Sequence, residues 1–441
     1  MSHDKIKDLF SSAIQSVVSR IPDFAVHPGK DFTRRKKFPA DKLLTFLVSE
    51  GSSSAKNELL DFFDMAADKP ADSAFNQQRA KLMPEAVEAA FHKFNESVDS
   101  LATQAGYRFL AADGSTATFF SKPEFSSGEY FVGQGHSARG FYSIHINAFY
   151  DLDRHTYTDA FLQPVHQKDE FRAFCNLVDR HPVTAGTKNV YIGDRGYCSY
   201  NNMAHVLEKQ QYFLFRTKDI HSKGLVGGFD FPGEEVFDIN VDVSLVRSHS
   251  SKIKIEGGYR RFVDKATSFD FIEYGSADTY RMAFRIVRFP VSDGVYECVV
   301  TNLPLEEFPP ERIRQLYSSR WGIETSFRKL KYTVGLSNFH AYKPEYVKQE
   351  IWARMITYNL TETLVNQTII EKQVTRHDYK VNFSSAVHIC RCFLRPAAEE
   401  RPINVTALLQ KELMPIRNER QYPRLNTTHF RKPRYFIYRA A

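Results

Sequence analysis

The stretch LYSSRWGIETSFRKLK, Leu316 to Lys331, sets a phenol, a guanidinium, a carboxylate and an ammonium at a spacing that can do chemistry. At 100° per residue Tyr317, Arg320, Glu324 and Lys331 fall at about 0°, −60°, −20° and −40°, an arc of roughly 60° on one helix face. Leu316, Ile323, Phe327 and Leu330 form a separate apolar stripe near about −80° to −140°, so the polar arc lies at the edge of a core. Two further acids, Asp113 in FLAADGS and Asp194 in YIGDRGY, each follow an apolar run. Phosphoryl transfer on DNA by water or a sugar hydroxyl suits such a set, because hard oxygen ligands can hold two magnesium ions ~3.5–4 Å apart. In that arrangement Asp113 bridges both ions, Asp194 binds one, and Glu324 completes the second. Taken singly the acids are weak signals: an Asp beside Gly is usually a turn residue, and Arg320 with Glu324 is an ordinary i, i+4 pair.

The elements that must position these acids follow from the periodicity. From Tyr107 the pattern alternates: YRFLAADGS is a strand ending in Asp113 and a turn, FYSIHINAFYDL and HTYTDAFLQPV are strands, KDEFRAFCNLVDR is a helix, and NVYIGDRGY is a buried strand ending in Asp194. The order β-β-β-α-β, with three meandering strands and a helical crossover to a parallel fourth, opens a ribonuclease-H-like sheet. If the fourth strand lies beside the first, Asp113 and Asp194 occupy neighbouring strand ends. The expected fold class is α/β: a ribonuclease-H-like catalytic core interrupted by a β-rich insertion, with an N-terminal helical domain and a helical C-terminal region.

The expected domains are residues 1–100 (helical, DNA-binding), 101–210 (first part of the core), 211–305 (β-rich insertion), 306–375 (second part of the core) and 376–441 (helical region and basic tail). In the first, helices are expected at Ile6–Val18, Ala40–Val48, Ala55–Phe63, Ala71–Leu82 and Pro84–Phe94, with Asn76, Gln78, Arg79 and Lys81 on polar positions. This resembles a DNA-binding module of helix-turn-helix type, and a plain helical cap is the alternative. The cluster Arg34–Lys37 reads either as a phosphate contact or as a solvated loop, and the basic, aromatic tail from Arg417 either as a contact with nucleic acid or with the other subunit of a dimer, or as a solvated segment.

Bulk composition is compatible with this. The 441 residues are 42% hydrophobic and 14% aromatic, enough for large cores, and the net charge of +7 fits a polyanionic partner without requiring one. No apolar run approaches the ~20 residues that cross a bilayer and no signal-peptide block opens the chain, which points to the cytoplasm. The five scattered cysteines offer neither a disulfide framework nor a CxxC pair, and His388, Cys390 and Cys392 read as helix residues rather than metal ligands.

The spacing Tyr317-x2-Arg320-x3-Glu324-x6-Lys331 resembles the motif of a group of bacterial insertion-sequence transposases, the DDE enzymes sometimes called the YREK group, within the insertion-sequence-four family. Asp194-x-Gly196-Tyr197 resembles the second-aspartate motif of that family, Asp113 its first, and the β-rich insertion is similar to the one the family carries. The resemblance implies that Asp113, Asp194 and Glu324 are the metal-binding catalytic triad, using two Mg2+ ions with Mn2+ as a substitute. It implies that Tyr317, Arg320 and Lys331 contact double-stranded DNA near the cut. Some relatives stack a flipped base on a tryptophan in the last strand of the insertion; here the tryptophans are Trp321 and Trp352, and Tyr296 is the nearest aromatic. The implied activity is cut-and-paste transposition on terminal inverted repeats and target DNA, in a homodimer assembled on DNA, at the bacterial nucleoid and away from membranes. Another ribonuclease-H-like nuclease, or a non-catalytic DNA-binding descendant, are the alternatives.

Overall fold

A computed structural model describes residues 1–416 apart from 35–37, 102–105, 121–127, 135–136, 185, 223, 251–252, 256, 371–377 and 397–401. The tail from Arg417 and most of the Arg34–Lys37 cluster therefore lie outside the described residues. The chain opens with helices α1 (His3–Val18), α2 (Ala40–Ser49), α3 (Ala55–Phe62), α4 (Asp72–Arg79) and α5 (Pro84–Asp99). Ser2 caps α1 by accepting from the Lys5 N–H, and Ile6, Phe10, Ala13, Ile14 and Val17 form its buried stripe. Pro84 opens α5, where its missing N–H costs nothing.

The sheet strands are β1 (Gly106–Phe120), β2 (Phe131–Gln134), β3 (Ser137–Asp151), β4 (Thr156–Pro164), β5 (Thr187–Gly193), β6 (Tyr212–Thr217), β7 (Phe237–Val246), β8 (Tyr259–Phe262), β9 (Thr279–Ser292) and β10 (Val295–Thr301). Helix α6 (Glu170–Arg180) crosses from β4 to β5, and α7 (Tyr200–Glu208) links β5 to β6. β1 pairs antiparallel with β3 and parallel with β5, β4 pairs with β3, and β6 lies parallel to β5. Residues alternate between the two faces of β1, as the strand period of two requires. Ala111, Ala117 and Phe119 join one core, while Leu110 and Ala112 join another with Phe174 and Leu177 of α6.

The alternating stretch after residue 211 divides differently from the sequence expectation. β6 is the parallel neighbour of β5, and the remaining strands continue the same sheet through β10, antiparallel to β6, in the order β6-β10-β9-β7-β8. Hydrophobic alternation shows that these segments are strands but not which neighbour they choose.

Four helices follow: α8 (Pro310–Ser319), α9 (Trp321–Tyr332), α10 (Pro344–Asn366) and α11 (Phe383–Leu394). A short strand β11 (Tyr379–Val381) precedes α11 and pairs with β12 (Leu413–Pro415), with α12 (Val405–Lys411) between them. α10 is buried almost all round. Its Thr357, Thr361 and Thr363 hydroxyls donate to the carbonyls four residues earlier, which lets polar side chains sit in an apolar setting. Residues of α1, α2, α5, α9, α10 and α11 share one core with β1 and β3, so the N-terminal helices and one sheet face pack on a common pillar.

That packing corrects the reading of α4 as a polar face. Arg79 is 1% exposed; its Nε donates to Gln349 Oε1 (2.8 Å), and its Nη2 donates to Tyr346 O (2.6 Å) and Glu350 Oε1 (3.0 Å), all on α10. Gln78 is buried too. An arginine whose carboxylate partner lies 271 residues onward looks like a surface cation in a local pattern. Among the described residues no helix is long and apolar enough to cross a membrane.

Candidate active site

The parallel pairing of β1 with β5 ends at the rung Ala112–Gly193, and Asp113 and Asp194 are the residues that follow on each strand. Asp194 closes β5 as expected. Asp113 does not close β1, which runs on to Phe120 with β3 as its partner to the rung Phe120–Phe141. The β-prone run after Gly114 keeps a partner on one side, so the turn expected at DGS does not form.

Each aspartate is fixed by a glycine N–H. Gly114 N donates to Asp113 Oδ1 (2.8 Å), and Gly196 N donates to Asp194 Oδ1 (2.7 Å) as Asp194 caps the helical turn Arg195–Tyr197. These bonds hold the carboxylates at their places.

The stretch Leu316–Lys331 is two helices rather than one, joined at Arg320, where the N–H groups of Arg320 and Ile323 reach back three residues rather than four. Tyr317 ends up 4% exposed, in a cluster with Val190, Ile192, Val299 and Ile313. Arg320, 6% exposed, donates to Glu324 Oε1 at 2.9 Å, and its guanidinium carbon lies 5.7 Å from the Tyr317 ring centre. Glu324 is half-buried and Lys331 partly buried on α9.

Electrostatics show which of these groups are neighbours. Burial raises the Asp113 carboxyl to about 6; the Gly114 N–H and the Arg320 charge oppose the rise, and the charges of Asp194 and Glu324 add to it. Burial lowers the Lys331 ammonium, and the Asp113 charge works against that. Asp113 thus feels Asp194, Glu324, Arg320 and Lys331 together. Burial raises the Tyr317 phenol, with Arg320, Arg216 and Glu297 nearby; the last two form a 3.1 Å ion pair that sequence reading missed.

Tyr296 stands apart from this group. It sits near the β9–β10 turn, its ring 4.1 Å from the Arg288 guanidinium carbon and its hydroxyl bonded to Glu235.

Among the described residues, the group whose donor atoms all lie within 4.8 Å of one another is Glu50, His340 and Glu350, not the three acids. That buried group already has cations: Arg79 contacts Glu350 at 3.0 Å and Arg354 at 4.0 Å. A looser set is what a two-ion site asks of its outer ligands, since ions ~3.5–4 Å apart with ligands at ~2.1 Å leave end carboxylates up to ~8 Å apart. A cavity of about 1090 Å³ lies elsewhere, lined by Arg108, Asp159, Arg180 and His181 among others. Its arginines are paired with Asp99, Asp151 and Asp159.

Residues 104–360 match the family described as the transposase DDE domain, which is more than half of the chain. The chain belongs to the DDE transposase family. The putative transposase y4zB of Sinorhizobium fredii is 26% identical over 215 residues, 48% of this chain and 51% of that protein. The transposase InsG for insertion sequence element IS4 of Escherichia coli strain K12 is 29% identical over 130 residues, 27% of this chain and 28% of that protein. The chain thus spans about half of the first relative and about a quarter of the second in these matches. The cryo-EM structure of the piggyBac transposase synaptic complex with hairpin DNA aligns over 91% of this chain and 82% of that one, at 9% identity and a TM-score of 0.47.

DDE transposases work with divalent metal ions. The residues of this chain fit such an ion: Asp113 is driven up by burial and by the charges of both Asp194 and Glu324. A cation among them removes that repulsion.

Proposed function

We propose that the chain is a cut-and-paste DNA transposase of the YREK group, built on a ribonuclease-H-like core whose catalytic acids are Asp113, Asp194 and Glu324. The observation that carries this reading is the placement of Asp113 and Asp194 just past the last parallel rung, with the Glu324 charge acting on Asp113, inside the matched DDE domain. Asp113 and Asp194, with Glu324, hold two Mg2+ ions, for which Mn2+ can substitute. Bound there, the ions make water or a 3′-hydroxyl a better nucleophile and stabilise the leaving oxygen.

The chain's own residues do the rest. The two glycine N–H groups orient the aspartates, Arg320 holds Glu324, and Arg320 and Lys331 set the register of the phosphate backbone and offset its charge. Tyr317, being buried, serves DNA by backing Arg320 from beneath. Tyr296 is the residue available for base stacking, once DNA displaces its contacts. Water first attacks at the element end to free a 3′-hydroxyl, and that hydroxyl then attacks target DNA in line. Two inverted repeats are brought together by a homodimer, with the helical domain of residues 1–100 reading them, at the bacterial nucleoid.

Purified protein is expected to nick a duplex carrying the element end when Mg2+ is added. Asp113→Ala, Asp194→Ala and Glu324→Ala should each abolish cutting while leaving DNA binding in place. Undiminished cutting by any of the three refutes the assignment.

A further inference from the structure

A carboxylate outside the expected triad stands at the same edge of the sheet. Glu170 opens α6. Its Oε1 is held twice, 3.1 Å from His145 Nε2 on β3 and 3.0 Å from Lys168 Nζ. Its Oε2 lies 3.9 Å from where a Cβ would sit on Gly196, and that same point is 3.0 Å from Asp194 Oδ1. Those two lengths bound the separation of Glu170 Oε2 from Asp194 Oδ1 at 6.9 Å. An ion ~2.1 Å from an aspartate, with a water at ~2.1 Å that donates over ~2.8 Å, spans about 7 Å.

The two glycines keep the approach open. A Cβ on Gly114 would stand 2.8 Å from Glu170 Oε1 and 2.8 Å from His145 Nε2. Gly114 and Gly196 are also the residues whose N–H groups hold Asp113 and Asp194. A second observation points to a ligand. The Tyr197 hydroxyl, on a residue 3% exposed, has no hydrogen-bond partner among the described residues. It lies in the field of Asp113, Glu170 and Asp194 together. A buried phenol without a partner, on which three carboxylates and Arg320 all act, can donate to an oxygen held among them. The His145 ring, 3.1 Å away, holds the Glu170 carboxyl down at about 2 against its burial, with Lys168 assisting.

We propose that Glu170 is a fourth carboxylate of the catalytic pocket, a positioning residue whose Oε2 holds the hydration shell of the divalent ion at Asp194 while His145 and Lys168 anchor Oε1. This rests on the triad reading above and extends it. Mg2+ keeps several of its waters, so an acid that orients them fixes the ion without touching it.

The test is a titration of the full-length protein with Mn2+, followed by electron paramagnetic resonance, beside melting curves recorded without metal. Glu170→Gln is expected to weaken one Mn2+ by about tenfold in a protein that melts at a somewhat lower temperature but is fully folded under the titration conditions. Asp194→Asn should lose that ion. If Glu170→Gln unfolds, Glu170→Asp, which keeps the charge but withdraws it by one methylene, must show the same selective weakening. Wild-type Mn2+ binding by the folded Glu170 variant beside loss in Asp194→Asn overturns the role of Glu170 and leaves the triad standing. Wild-type binding by Asp194→Asn overturns the triad reading on which it rests.

Discussion

Asp113→Asn is expected to make the metal-free protein more stable at neutral and alkaline pH while disabling it. Burial first, then Asp194 and Glu324, bring the Asp113 carboxyl from 3.8 to about 6, net of the opposing Gly114 N–H and Arg320. A carboxyl whose folded value lies above its unfolded one binds its proton more tightly in the fold. The folded state is therefore penalised as pH rises from about 4 to about 6, fully so above that. Roughly two pH units at ~1.36 kcal/mol each make the penalty about 3 kcal/mol. The asparagine Oδ1 can still accept from Gly114 N–H, so the variant removes the charge and keeps the bond.

Urea midpoints at about pH 4 and about pH 8 measure this directly. The two proteins should match at the lower pH, and the variant should exceed the wild type by about 2–3 kcal/mol at the higher one. Mg2+ in excess should raise the wild-type midpoint and leave the variant's nearly unmoved, since binding to the folded state alone stabilises it. A variant no more stable than wild type at the higher pH, or a difference that does not change with pH, would show that burial and the neighbouring acids do not burden the Asp113 carboxylate.

Three further variants test the charges at this site and in the buried Arg79–Glu350 group. Arg320→Ala should enlarge the Asp113 penalty and carry its completion to higher pH, because Arg320 is the charge that opposes it, and should reduce the salt slope of end-DNA binding by about 1; an unchanged slope would remove Arg320 from the DNA contact. Glu350→Ala should cost about 3–5 kcal/mol by stranding Arg79 in the core, read from denaturant midpoints. The contrasting Glu50→Gln should be near neutral, because burial raises the Glu50 carboxyl, whereas Arg79 and His340 hold that of Glu350 low against its burial.

How far the sequence could lead depended on whether a feature is local. The buried stripe of α1, the proline start of α5 and the apolar run of β5 are each set by neighbours within a few turns or one strand, and periodicity finds them. The Ala112–Gly193 rung follows from one topological rule, the parallel crossover, so the pairing of two aspartates 81 residues apart was legible as well. Arg79 was not, since its carboxylate comes from α10. Nor was the length of β1, since a strand outlasts a turn signal when β3 still offers hydrogen bonds on one side. Glu170 carries no signal of its own, because an acid in the first turn of a helix is commonplace. Only the folded chain sets it against Gly196.

The arrangement of charges explains why such a site needs so much support around it. Asp113 has two further carboxylates near it, Asp194 and Glu324, and two cations, Arg320 and Lys331, the second disfavoured by burial. Pairing with an arginine, as for Glu350 with Arg79, gives a stable core but ties up the paired carboxylate oxygen. The site is instead under-neutralised, and the strain falls on Asp113. Rigid surroundings must hold the acids at their places despite that repulsion: Asp113 lies between two bonded stretches of β1, Asp194 is tied to Gly196, and α9 packs Ile323, Phe327 and Leu330 into the core that it shares with α10. Softer packing would let the carboxylates splay, relieving the repulsion and removing the reason for a cation to enter. On the proposed reading of the acids as metal ligands, the packing of the helical pillar thereby sets how firmly a cation is held.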